Sequence, residues 1–156
     1  MTVKSLDFSP FHPKNIALQD FEEQNKIKKE LVVRVREWTE QYCDAIEENY
    51  KEYHIRTLNG NLSGNYPEYA QKQLDEINNG TAKLMKFRIQ EGRKYYKIIQ
   101  QNYDTFQDRN EYRDGSVHAF INKKTGEVFK PASWKSPAKH VRYDLRIIKE
   151  REYVLN

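Results

Sequence analysis

One stretch of the sequence combines side chains that contact phosphate groups with a flat ring that can stack on bases. It runs from Phe129 to Tyr143 and reads FKPASWKSPAKHVRY. Lysine and arginine bind phosphates, and an indole ring stacks on nucleobases. The stretch therefore predicts binding of nucleic acid or of another anionic ligand. The side chains predicted to make these contacts are Lys130, Trp134, Lys135, Lys139, His140 and Arg142.

The same stretch contains residue types that start a helix. Serine is favoured at the N-cap and proline at the first helical position, which are the roles open to Ser136 and Pro137. Val141, Leu145 and Ile148 follow at the spacing of one helix face. We therefore expect a short C-terminal helix, whose free backbone N–H groups would help the neighbouring lysine to hold an anion.

Trp134 allows a second interpretation, in which the ring contacts no ligand. The indole lies between Pro131 and Pro137 and could be a buried anchor of the corner between a strand and the helix. The lysines around it would then only keep the surface soluble, since charged side chains are usually exposed. The sequence leaves both interpretations open.

The histidines are the candidates for metal chemistry, and none of them has the spacing of a metal pair on one helix. His118 is expected on a strand and His140 near a helix start, so a site of these two with Asp144 is conceivable. The same pair could serve a small hydrolase. Ordinary hydrogen-bonded or exposed histidines are the favoured interpretation, and the sequence predicts neither a metal nor a cofactor.

The remaining reactive groups predict no catalysis. Cys43 is the single cysteine and lies beside an apolar helical stripe, which is typical of a buried, inert thiol. The glycine-containing stretch NGNLSGN lacks the Lys-Ser/Thr ending of a phosphate loop. Paired acidic residues lie on helices among other charges, as on a solvated face. We therefore expect a protein that is not an enzyme.

Charge is distributed unevenly along the chain. Residues 1–114 carry 18 basic and 19 acidic side chains, whereas residues 115–156 carry 9 basic and 4 acidic ones. A basic C-terminal quarter favours an anionic partner. No apolar run approaches the ~18 residues of a membrane span, and the N-terminus has no signal-peptide pattern, so we expect a cytoplasmic protein without membrane contact.

The elements that must position these residues begin with one long helix. Pro10 and Pro13 favour an extended lead-in. Asp20 is the expected N-cap, and the helix should run about ten turns, to near Ile55. Its apolar face recurs at steps of three or four residues: Ile27, Leu31, Val35, Trp38, Tyr42, Ile46, Tyr50 and Tyr53.

A second helix and four strands are expected after the loop LNGNLSGN. The helix should begin near Pro67 and end at Asn79-Gly80, packing on the first as an antiparallel pair. Period-two patterns predict strands in KLMKFRIQE, KYYKIIQQNY, SVHAFIN and EVFK. Gly92-Arg93 and KKTG are the expected hairpin turns, and Val117 should share one sheet face with Ala119.

The assembled prediction is an α+β fold in one domain, residues 1–156. A helical hairpin, with one long and one short helix, packs on a small antiparallel sheet of about four strands, and a short C-terminal helix follows. Residues 1–80 are mainly helical, and residues 81–156 hold the sheet and the last helix. The other sheet face is open or only partly covered.

The stretch from Ser116 to Leu145 resembles a signature of small accessory proteins of tailed phages, especially marine ones. A strand with His-x-Phe-Ile leads to a Thr-Gly turn, and a strand ending in Lys-Pro-Ala precedes Ser-Trp-Lys, Pro-Ala-Lys and an arginine. The resemblance covers about a fifth of the chain, implies a phage source and a C-terminal module, and supplies no catalytic residue. The matching residues are His118, Phe120, Ile121, Thr125, Gly126, Lys130, Pro131, Ala132, Ser133, Trp134, Lys135, Pro137, Ala138, Lys139 and Arg142.

These features lead to two hypotheses of function. The first is a phage-type accessory protein in the host cytoplasm that binds nucleic acid or another anionic ligand through its basic C-terminal segment. The alternative is a protein–protein interaction module, which binds a host or phage protein or forms a homodimer through the long helix. A helix of about 35 residues is long for a domain of this size, which motivates the alternative.

Overall fold

A computed structural model describes residues 13–147, with side chains from residue 20 onward. The chain forms α1 (Pro13–Asn61), α2 (Pro67–Asn78), β1 (Lys86–Glu91), β2 (Tyr95–Asp104), a 3-10 turn (Phe106–Asp108), β3 (Glu111–Asn122), β4 (Glu127–Pro131) and β5 (Pro137–Asp144). The strands form one antiparallel sheet in the order β1-β2-β3-β4-β5. The predicted α+β class is confirmed, but the sheet has five strands, and the described chain has no C-terminal helix.

Helix α1 is longer at both ends than the sequence predicts. Pro13, expected in an extended lead-in, is instead the first helical residue, where its missing N–H costs nothing. The helix also continues through Gly60 to Asn61. Leu58 is buried against α2 and stabilises the last turns, so packing outweighs the poor helix propensity of Asn59 and Gly60.

The apolar stripe of α1 packs on the sheet over the middle of the helix only. Val35, Tyr42 and Ile46 are buried in the main core. Ile27 and Tyr53, the two ends of the predicted stripe, are 56% and 63% exposed. The stripe therefore predicts the helix correctly but overestimates the length that the sheet covers.

A second, smaller core joins α1 to α2. Leu58 meets Ala70, Leu74 and Ile77 of α2 in a cluster separate from the main core. The predicted second helix is confirmed, with Pro67 in its first turn and Asn79 as its C-cap. The backbone N–H of Asn79 donates to the carbonyl of Asp75 and so closes the helix.

A β-bulge in β3 changes which of its residues share a sheet face. Ile98 pairs with Ala119, whereas the next residue, Ile99, pairs with Val117, so His118 is an extra residue in β3. Directly paired residues lie on the same face of a sheet. The prediction that Val117 and Ala119 share a face is therefore wrong. Ala119 packs under α1, and Val117 lies on the opposite, open face with Ile99.

The predicted C-terminal helix is a strand, β5, paired with β4. A spacing of four residues, as between Val141 and Leu145, does not by itself separate a helix from a strand. In the structure the two residues share no face: Val141 is 45% exposed in β5, and Leu145 is buried in the main core just after β5 ends. Pro137 starts β5, and proline is tolerated at the start of an edge strand. The predicted third apolar position, Ile148, lies outside the described residues.

Candidate anion-binding site

The six predicted contact residues do not form one surface. Trp134 and Lys135 lie in the loop between β4 and β5, Lys130 lies in β4, and the other three lie in β5: Lys139, His140 and Arg142. All six are exposed. Arg142 acts electrostatically on Tyr42 and His118, which belong to the helix side of the sheet. Lys130 follows Phe129 in β4, and strand alternation directs it to the same helix side.

The loop after β4 is shaped by its serines. Ser133 Oγ accepts the backbone N–H of Ser136 at 3.2 Å, and the N–H of Ala132 donates to the Ser136 carbonyl at 3.0 Å. The indole of Trp134 is 44% exposed, which contradicts the interpretation of this ring as a buried anchor. The serine turn, rather than the ring, therefore makes the corner.

Trp134 and Lys135 contribute to a different basic site, on the sheet face that carries no helix. Lys97 Nζ lies 4.2 Å from the centre of the Trp134 ring and 5.9 Å from that of Phe120. A cavity of about 280 Å³ opens beside this contact. We call it the basic cavity; it is lined by Gln90, Gly92, Arg93, Lys94, Tyr95, Lys97, Phe120 and Lys135.

The turn between β1 and β2 supplies two of these cations. The N–H of Gly92 donates to the carbonyl of Tyr95 at 2.9 Å, so Arg93 and Lys94 are the central turn residues. The predicted turn, Gly92-Arg93, is shifted by one residue. This shift places both basic side chains at the tip of the hairpin.

Lys97 lines the basic cavity and lies among other cations. Partial removal of water from its ammonium group lowers the pKa of Lys97, and the cations of Arg88 and Lys135 lower it further. An anion bound in the cavity would offset this repulsion.

The nearest acidic group on this face is already engaged. Asp114 accepts two hydrogen bonds from Arg88, from Nε at 2.8 Å and from Nη2 at 2.5 Å, and a third from Gln101 at 3.0 Å. These donors lower the pKa of Asp114 to about 2. The charge of Asp114 is therefore paired mainly with Arg88, and it also acts on Lys97, whose pKa it raises.

The acidic residue next to the β1–β2 turn belongs to the other face. Glu91 pairs with Lys123 at 2.8 Å and with Arg36 of helix α1 at 3.6 Å. Within the described chain, no acidic side chain forms an ion pair with any of the four cavity cations, Arg93, Lys94, Lys97 and Lys135. Four positive charges therefore surround one small cavity.

Aromatic rings adjoin these charges. Tyr95 makes edge-to-face contacts with Phe120 and Phe129, each with ring centres 5.9 Å apart. Phe120 is buried, while Tyr95 is half-buried and Trp134 is exposed. Cations beside accessible rings can hold a phosphate group and stack a base.

The sequence analysis missed Arg93, Lys94 and Lys97, although a signal for them exists. In RKYYK, period-two alternation places Tyr95 and Lys97 on one strand face. The same combination of rings and cations was the basis for predicting anion binding by the C-terminal stretch. The near-neutral charge of residues 1–114 concealed it, because the total over that part does not show where the cations gather.

The structure also places the other candidate residues. His118 Nε2 lies 3.0 Å from the Tyr42 hydroxyl, and Asp144 is bound by Arg146 at 2.6 Å. Cys43 is buried, as predicted, and desolvation raises the pKa of its thiol to about 12. Between residues 13 and 147, no three side chains of the types that ligate metals cluster closely enough to hold an ion. His12 lies outside the described residues.

Residues 18–156 match the model of a family described as a family of unknown function, DUF7717. The chain belongs to this family. The DUF7717 match includes both helices from residue 18 onward, all five strands and every residue of the basic cavity. No curated protein and no solved structure matches the chain. Within the described part of this DUF7717 member, no helix is long and apolar enough to cross a membrane.

Proposed function

We propose that the protein binds single-stranded nucleic acid on the open face of its sheet, at the basic cavity. The observation that carries this proposal is the group of four cations around one cavity, with no ion pair to a described acidic residue. The exposed ring of Trp134 lies directly beside it. The proposal keeps the predicted Trp134 and Lys135 contacts and moves the centre of the site to Lys97.

The arrangement favours a single strand over a duplex. A phosphate group in the cavity would contact Lys97 and Lys135, and an unpaired base would stack on the face of Trp134 that Lys97 leaves open. In a duplex the bases are stacked on one another and would not reach the ring. The function is binding rather than catalysis.

Titration of fluorescently labelled single-stranded and duplex DNA and RNA at about 50 and about 200 mM salt tests the proposal. The variant Lys97→Gln/Lys135→Gln removes two cavity cations, and Lys28→Gln/Lys29→Gln removes two exposed cations of α1 as a charge-matched control. We expect single strands to bind more tightly than duplexes. The cavity variant should bind about tenfold more weakly or worse, with a salt slope shallower by about 0.7 per lost phosphate contact.

Two results would refute the proposal. One is the absence of binding to any of the four nucleic acids at the lower salt concentration. The other is an equal loss of affinity in the cavity variant and in the α1 control, which would mean that net charge alone causes the binding.

The remaining predicted contacts, Lys130, Lys139, His140 and Arg142, stay predictions. They lie in the hairpin of β4 and β5, whose loop carries Trp134 and Lys135. Further phosphates of a bound strand would reach them only by following this hairpin away from the cavity. We expect their replacement by glutamine to weaken binding less than replacement of Lys97.

A second candidate function is self-association or binding of another protein through α1. It is favoured by the part of α1 that the sheet leaves uncovered, where Ile27 is 56% exposed and continues the buried stripe. Phe21 and Val33 are also exposed, but each lies six residues from Ile27 and so points about 120° away. The apolar surface is therefore narrow.

Light scattering at two protein concentrations, for the wild type and Ile27→Ser, tests this second function. A dimer that Ile27→Ser dissociates would support a helix-mediated interface. A wild type that is monomeric at both concentrations and recovers no partner in a pull-down would count against it.

The phage-type origin stays a prediction. It rests on the signature that the segment from Ser116 to Leu145 resembles, and this segment runs from within β3 through β4 and β5.

A further inference from the structure

A second cavity, of about 420 Å³, opens on the helix side of the molecule. It lies between the C-terminal third of α1, the segment of residues 81–85 and strand β2. Its size is within the range of small-molecule sites, about 300 to 1,000 Å³. The lining residues used below are Glu47, Tyr50, Lys51, Tyr53, Lys83 and Leu84.

The cavity exists because the two hydrophobic clusters of the protein do not merge. Leu84 packs against the cluster between α1 and α2, whereas Met85 packs against the main core under the sheet. The Tyr112 hydroxyl donates to the Leu84 carbonyl at 2.8 Å, and Glu47 accepts the N–H of Phe87 at 2.8 Å. These two bonds fix the segment between the clusters, which forms one wall of the cavity.

The lining combines apolar surfaces with basic side chains. Leu84 and Tyr50 are apolar surfaces, and Tyr53 is 63% exposed beside them. Lys51 and Lys83 form no ion pair with an acidic side chain of the described chain, and Lys83 Nζ lies 5.5 Å from the centre of the Tyr103 ring.

The acidic side chain of the lining is partly occupied. One carboxylate oxygen of Glu47 accepts the N–H of Phe87, which ties that charge to the backbone of β1. Two lysines therefore outnumber the one carboxylate in a partly apolar lining. Such a lining complements a molecule with an apolar body and an acidic group.

We propose that this cavity binds a small planar aromatic anion. The ring packs between Tyr53 and Leu84, and the acidic group, a carboxylate, sulfonate or phosphate, is held by Lys51 and Lys83. This site is separate from the basic cavity, because the two share no lining residue. The inference does not depend on nucleic-acid binding.

Fluorescence titration with 8-anilinonaphthalene-1-sulfonate, an aromatic sulfonate, tests the site on the full chain. The variants are Lys51→Gln/Lys83→Gln and Tyr53→Ala, with Tyr66→Ala, another exposed tyrosine outside the cavity, as the matched control. Lys97→Gln/Lys135→Gln reports on the basic cavity. Because this dye also stains partly folded chains, each variant must melt cooperatively within about 3 °C of the wild-type melting temperature.

We expect one saturable dye site in this cavity, which titration of the basic-cavity variant measures without dye held by the cations of the open face. The lysine variant should bind at least about tenfold more weakly, because each charge-assisted hydrogen bond accounts for about that factor. Tyr53→Ala should also bind more weakly, whereas Tyr66→Ala should bind as the wild type does and the basic-cavity variant should retain this saturable site. Non-saturable fluorescence, an unchanged affinity of the lysine variant, or a loss confined to the basic-cavity variant would each overturn the proposal.

Discussion

His118 is the polar side chain whose surroundings under the sheet are best defined. The bulge directs it toward α1, where its Nε2 lies 3.0 Å from the Tyr42 hydroxyl and its ring meets Phe87 edge-on at 5.2 Å. Burial lowers the pKa of His118, and the cation of Arg142 lowers it further. Burial also raises the pKa of Tyr42. The pair is therefore neutral in the folded protein.

This arrangement predicts a loss of stability in mild acid. In the unfolded chain His118 titrates near its ordinary pKa of about 6.5, and in the folded protein it titrates lower, so the unfolded state binds more protons between these values. The free energy of unfolding should fall as pH drops below about 6.5. Thermal melts from about pH 7.5 to about pH 5.5 should show a steeper fall for the wild type than for His118→Gln.

The control for this prediction is His140→Gln, because His140 is exposed on β5. This variant should keep the pH dependence of the wild type. Equal slopes for the wild type and His118→Gln would contradict the prediction and would mean that other groups cause the acid sensitivity.

At the scale of elements, the turn between β3 and β4 requires its glycine. Gly126 has a φ of 79°, its N–H donates to Asn122, and its carbonyl accepts the N–H of Leu145. A Cβ at this position would lie 3.5 Å from a Val35 methyl group. Space is therefore sufficient, and the left-handed backbone is the constraint.

Gly126→Ala should destabilise the protein by about 1–2 kcal/mol, the cost of a left-handed conformation for a residue with a Cβ. Gly60→Ala is the matched control, and its effect on the free energy of unfolding should have the opposite sign. Gly60 lies in α1, and a Cβ added there would meet no atom within 4 Å, so alanine should stabilise by about 0.5–1 kcal/mol. Urea unfolding of both variants measures the difference, and a neutral Gly126→Ala would show that the turn relaxes.

Trp134, in the loop between β4 and β5, should contribute to binding but little to the stability of the fold. Because the ring is 44% exposed, Trp134→Ala should reduce stability by less than about 1 kcal/mol, compared with about 2–5 kcal/mol for Ile98→Ala in the core. The same Trp134 variant should weaken single-stranded binding by about 1–3 kcal/mol. A large stability loss without a binding loss would instead assign the ring a structural role.

At the scale of the whole molecule, the two faces of the sheet carry different chemistry. One face packs on α1 through Val35, Tyr42 and Ile46, and the salt bridges of Glu91 join its edge to the helix and to Lys123. The other face exposes cations and rings, with Asp114 as its engaged carboxylate. Binding should therefore respond to charge on the open face and not to charge on α1.

Asp114→Asn tests this expectation in the direction of tighter binding. The substitution removes a negative charge and releases Arg88 from its partner, so affinity for a single strand at low salt should increase about fivefold. The gain should shrink at higher salt because screening weakens it. Glu37→Gln, an exposed carboxylate of α1, is the charge-matched control and should leave affinity unchanged.

The local pattern of the sequence determined much of the fold. The spacing of three or four residues between apolar positions predicted the packed middle of α1. Pro67 and Asn79 predicted the ends of α2. Alternation predicted β1 and β2, and the stretch KKTG predicted the turn between β3 and β4. These signals are readable because each depends on neighbours within one or two turns of chain.

Only the tertiary structure decided the nature of β5 and the location of the basic cavity. The spacing of Val141 and Leu145 predicted a helix, and the presence of β4 as a pairing partner selects a strand for the residues up to Asp144. Arg93 and Lys97 are far from Lys135 in sequence, and the order of the strands brings them together. Residue type is a local property, whereas the convergence of charges depends on how distant segments pack.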